Sequence, residues 1–91
     1  MARNRSENAT PKLRAMQDCL VALEKYAPMY ARYHDSHLQP YTYRVAKDSY
    51  RAAYLKMNKL GHSIGGTRES YSHMADVLRE EIRYEYGTQQ K

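Results

Sequence analysis

Three sets of apolar residues govern what this chain can become, the first two recurring at alternating intervals of three and four and the third also keeping to one helical face. Leu13, Met16, Leu20, Leu23, Ala27 and Tyr30 form the first set; Tyr43, Ala46, Tyr50, Ala53, Met57 and Leu60 the second; Tyr71, Met74, Ala75, Leu78 and Ile82 the third. An α-helix turns once in about 3.6 residues, so each set lies along one helical face as a stripe. There is no internal repeat, no low-complexity run and no convincing strand. A helix with one apolar stripe must cover it against another element. Three such helices with short connections predict an all-α fold, a small antiparallel three-helix bundle. An open arrangement that covers its stripes by homo-oligomerising is the other solution.

Local punctuation places the ends. Thr10-Pro11 reads as an N-cap followed by proline at the first helical position, opening a helix over about Pro11 to Tyr33. Pro28 lies inside it, removes a backbone donor and disfavours helical geometry at Ala27. A kink, or an early stop near Tyr26, is therefore predicted. The aperiodic stretch from His34 to Pro40 is the first connection. The second helix should end at Gly61, the usual left-handed cap, and Gly65-Gly66 keeps the next connection open. Thr67 is the expected N-cap of the third helix, with Glu69 in its first turn, and Gly87 its expected end. This divides the chain into a flexible basic arm at 1–9 bearing Arg3 and Arg5, a single helical domain at 10–87 and a polar tail at 88–91. With 91 residues there is material for one modest core.

Charge and aromatic content narrow the function. The net charge is +5, the pI about 9.4, and the aromatic residues are ten tyrosines with no Phe or Trp. Lysine and arginine neutralise phosphates while tyrosine offers stacking faces and a polar tip, so the partner is expected to be DNA or an acidic protein surface. No run of about 18 apolar residues suggests a membrane span, and the first residues lack the pattern of a secretory signal, so a cytoplasmic location is expected. Cys19 is the single cysteine and reads as a helix residue. His34, His37, His62 and His73 have neither a second cysteine nor a carboxylate cluster to form a zinc site. No cofactor motif is present, and neither metal nor cofactor is expected.

The second helix concentrates the cations. Arg44, Lys47, Arg51, Lys56 and Lys59 interleave with Tyr41, Tyr43, Tyr50 and Tyr54. Such a helix can follow a phosphate backbone or an acidic surface, with Arg44, Lys47, Arg51, Tyr54, Lys56, Lys59 and the arm's Arg3 and Arg5 as binding residues. The competing reading is a solvated flank whose lysines lie over the bundle edge.

One segment carries a sharper pattern: "LGHSIGGTRESYSHM", Leu60 to Met74. Leu-Gly-His-Ser followed by Thr67, Tyr71 and His73 resembles the C-terminal catalytic box of tyrosine recombinases, or phage-type integrases. The resemblance implies that His62 assists at a scissile phosphate and that Tyr71 attacks it to form a phosphotyrosyl link. The same residues also serve as helix punctuation, with Gly61 and Thr67 as caps and Tyr71 opening a core stripe. A phenol needs cations to stabilise the phosphorane it forms. The family's His-x-x-Arg has no counterpart here: His34 is followed at the fourth position by His37, and His37 by Pro40. The chain before Leu60 is also too short for the rest of that catalytic domain. The expectation is therefore a DNA-binding protein of a mobile element, derived from or associated with a recombinase and not catalytic alone. The alternative is a phage or plasmid protein that inhibits a host protein machine.

Overall fold

The computed structural model describes residues 10–62 and 71–89, which form three helices and, among the described residues, no strand. The first, α1 (Pro11–Tyr33), begins as its sequence requires: Thr10 is extended and its hydroxyl accepts a hydrogen bond from the Leu13 amide at 3.1 Å. The early stop near Tyr26 does not occur: α1 stays helical through Pro28 to Tyr33. Pro28 is on the exposed side, where the carbonyl it deprives can meet water. Tyr26 and Ala27 before it, and Tyr30 and Tyr33 after it, are all held by the core. Packing on both sides outweighs the local preference.

The second helix, α2 (Tyr41–Lys59), ends in a full Schellman turn. Gly61 has φ +96°, its amide donates to the Asn58 carbonyl at 3.0 Å, and the His62 amide donates to the Met57 carbonyl at 3.1 Å. That pair of bonds satisfies carbonyls the helix end would leave open. The third helix, α3 (Tyr71–Gln89), continues past Gly87, where a stop was expected. Gly87 has no positive φ, so it is an ordinary helical residue. The expected caps Thr67 and Glu69 lie outside the described residues, as do the arm at 1–9 and the Gly65-Gly66 connection.

Side-chain pairings fix the directions. Lys12 meets Glu85, Glu24 meets Arg79, and Tyr30 meets Tyr71, so α3 runs antiparallel to α1. Tyr33 lies against Tyr43, and Tyr26 against Tyr43 and Tyr50, so α2 is antiparallel to α1 as well. It follows that α2 and α3 point the same way, as Tyr50 on Tyr71 and His62 on Glu81 confirm. The central helix is α1, which packs against both others. Its buried arc is therefore wider than one stripe: Ala15, Cys19 and Tyr26 are buried beside Leu13, Met16 and Leu23, whereas Leu20 is only partly covered. At the rim of the core Leu60, expected inside, is 38 % exposed. Among the described residues no helix is long and apolar enough to cross a membrane.

Candidate functional site

On α2 the buried residues Tyr43, Ala46, Tyr50 and Met57 define the inward face. At about 100° per residue, Arg44, Lys47 and Arg51 fall within about 60° of one another on one flank, the one turned toward α3. Arg44 and Arg51 are exposed and Lys47 is half-buried. From Arg44 to Arg51 the row is about 10 Å long at about 1.5 Å per residue. Lys59 projects from the back of the helix, and Lys56 is about 120° round from Arg44, on the opposite flank. The cations expected to act as one surface are thus divided, with Arg44, Lys47 and Arg51 together, Lys59 behind them and Lys56 apart. Arg3 and Arg5 lie outside the described residues.

The electrostatics of the helices differ in kind. Helix α2 carries five cations and a single carboxylate, Asp48, whereas α3 carries two cations and four carboxylates. Among the described residues none of Arg44, Lys47, Arg51, Lys56 or Lys59 makes an ion pair. By contrast Lys12, Arg79 and Arg83 are paired, the second of these with both Glu24 and Asp76. The cations of α2 therefore lie outside the charge pairing that joins α1 to α3.

The tyrosines have mostly another duty than the one expected of them. Tyr43 and Tyr50 are buried, and Tyr26, Tyr30, Tyr33, Tyr43, Tyr50, Tyr54 and Tyr71 form one connected set of rings, with centroids from 4.7 to 5.9 Å apart. Without Phe or Trp, tyrosine supplies the aromatic bulk of the core. Burial pushes the phenols of Tyr26 and Tyr50 well above their ordinary range, helped at Tyr26 by hydrogen bonds with Tyr43 and Tyr71 and at Tyr50 by the neighbouring Cys19. Tyr54 is half-buried with its ring 5.9 Å from Tyr50, and by helical angle it borders the row of cations. Of the interleaved tyrosines Tyr41 alone is widely open, at 78 %.

His62 and Tyr71 are held apart. The His62 ring is largely covered and its Nε2 lies 2.7 Å from Glu81 Oε1. Tyr71 is enclosed by Tyr26, Tyr30 and Tyr50 at 5.0, 4.7 and 5.7 Å. Glu81 is ten residues beyond Tyr71 on α3, about 15 Å along the helix. In this arrangement one phosphate cannot reach both. His62 instead closes one end of the bundle, at a depression of about 500 Å³ that it lines with Lys12, Glu80, Glu81, Tyr84 and Glu85.

Elsewhere, His34 caps α1: its Nδ1 lies 2.7 Å from the Tyr30 carbonyl and its ring stacks on Tyr30 at 4.4 Å. Among the described residues no three His, Cys, Asp or Glu side chains converge as metal ligands. Residue spacing does not mark the groove between α1 and α2 that Met29, Tyr41 and Val45 line, because it joins half-stripes of two helices. Compared with known protein families, with curated proteins and with solved structures, the chain finds no match in any of the three.

Proposed function

We propose that this chain is a small DNA-binding protein that grips the phosphate backbone through Arg44, Lys47 and Arg51, acts in the cytoplasm, and is not catalytic alone. The observation that carries this reading is the row itself: three cations on one flank of one helix, with no carboxylate partner among the described residues. One strand of B-DNA presents a charge per about 3.4 Å of axis, so a row of about 10 Å spans about three phosphates. Lys59 and the arm's Arg3 and Arg5 extend the contact. The likeness of Leu60–Met74 to a tyrosine recombinase box supports a setting in the recombination of a mobile or phage-borne element. The separation of His62 from Tyr71 supports a role in binding without strand cleavage.

A gel shift on random duplex DNA across a salt series tests the reading. Affinity should fall steeply with salt, and reversing Arg44, Lys47 and Arg51 to Glu should abolish the shift while leaving helicity unchanged. Neutralising them one at a time should lower the salt slope by about 1 each. Binding that survives the triple reversal overturns the site. Absence of any salt-dependent shift moves the reading to an inhibitor docked on an acidic protein. On nicked duplex DNA no covalent adduct is expected, and one that is lost on Tyr71→Phe would overturn the non-catalytic assignment.

A further inference from the structure

On the side of the bundle turned away from α3, α1 and α2 enclose a groove. Two adjoining hollows of about 290 and 300 Å³ lie along it and share Met29 and Thr42 in their linings. Its floor and α2 wall are apolar or small, with Met29, Val45 and Ala46, and Tyr41 stands open at its rim. Its α1 wall carries Lys25 and Arg32, and no carboxylate lines either hollow. The groove is about 140° round α2 from Lys47, so it is separate from the row proposed to hold DNA.

Apolar floor and cationic wall together select the occupant. A phosphate backbone gains nothing from burying Met29 and Val45, while an uncharged apolar segment offers no opposite charge to Lys25 or to Arg32, whose guanidinium lies over the Tyr33 ring at 5.9 Å. The chain's own segments outside the described residues are also mismatched: 1–9 holds two arginines and one glutamate, and 63–70 one of each. We infer that the groove docks an acidic amphipathic segment of another protein, apolar anchors on Met29 and Val45 and carboxylates toward Lys25 and Arg32. From Tyr41 to Ser49 the α2 wall is about 12 Å long, or about two helical turns. That length accommodates two anchors at three-four spacing, in the manner of a helix laid in a groove. Methionine and tyrosine suit such a surface, the one by adapting to shape and the other by combining apolar area with a polar tip.

The probe is a fluorescein-labelled synthetic peptide with Leu and Phe at three-four spacing among Glu and Asp, followed by anisotropy on the full chain. Saturable binding is expected, weakened at least about tenfold by Val45→Glu and by the double change Lys25→Glu with Arg32→Glu. It should be unaffected by the reversal of Arg44, Lys47 and Arg51. Val45→Glu should leave the DNA shift intact, which separates failure of this inference from failure of the DNA reading. Should Val45→Glu lose helicity, Tyr41→Ala at the open rim replaces it with the same expected loss. No binding, equal binding of a peptide whose Leu and Phe are Ala, or indifference to the groove variants would each overturn the inference. So would a concentration-dependent dimer abolished by Val45→Glu, since the occupant would then be a second copy.

Discussion

A thiol and two phenols are placed where ionising them is costly. Cys19 is fully buried, and burial pushes its thiol from 9.0 up to about 11; Tyr26 and Tyr50 are raised by the same cause. In the unfolded chain tyrosine releases its proton at about pH 10, while the folded state still retains it. The unfolded state then binds fewer protons, so stability falls as pH rises. Melting followed by circular dichroism should show Tm dropping from about pH 9 upward, and Tyr26→Phe or Tyr50→Phe should flatten the decline. Among the aliphatic residues, Leu23 is fully buried and Leu20 only partly. Leu23→Ala should cost about 2–5 kcal/mol and Leu20→Ala distinctly less, as read by denaturant unfolding. A stripe drawn from spacing alone treats these two leucines alike, and contact with two neighbouring helices separates them.

At the scale of the helix, glycine acts in two opposite ways. Gly61 holds φ +96° in the turn that ends α2. Gly61→Ala meets no neighbour within 4 Å, so its cost of about 1–2 kcal/mol would come from the backbone alone. Gly87 is helical, with equally open space around it, so Gly87→Ala should stabilise by about 0.5–1 kcal/mol. Chemical denaturation of both variants checks the signs together. The start of α1 and the end of α2 were legible because their signals are local: the Thr10 hydroxyl and the Gly61 backbone act within one turn. The early stop at Pro28 did not follow, because Tyr26 and Ala27 before it and Tyr30 and Tyr33 after it are held by the core; Gly87 did not end α3 because a glycine caps a helix only where it takes a positive φ, and here it does not. The division of Lys56 from Arg44, Lys47 and Arg51 follows from helical angle and was within reach of the sequence. The enclosure of Tyr43 and Tyr50 was visible in the stripe, yet their composition also suggested a stacking surface; burial gives them to the core.

In the whole molecule α1 is the common partner, with α2 and α3 lying along it in the same direction. Three stripes specify three helices but not this arrangement, because the directions follow from pairings between helices, such as Lys12 with Glu85 and Tyr30 with Tyr71, that no single stripe encodes. Charge is arranged on the same plan, with α2 cationic and α3 acidic. The order of assembly follows from the pairing. Tyr33 reaches Tyr43 across one short connection, whereas Arg79 reaches Glu24 from 55 residues away. Closing the longer loop costs more entropy and is rewarded later. The α1–α2 hairpin should therefore form first and α3 dock last, leaving at the lowest free energy of opening. Native-state hydrogen exchange should find the amides of α3 released before those of α1 and α2, and uniform release would contradict it. A helix that lifts away while its two neighbours stay paired would uncover the tyrosine rings from one side only, withdrawing Tyr71 while Tyr26 stays stacked on Tyr43 and Tyr50.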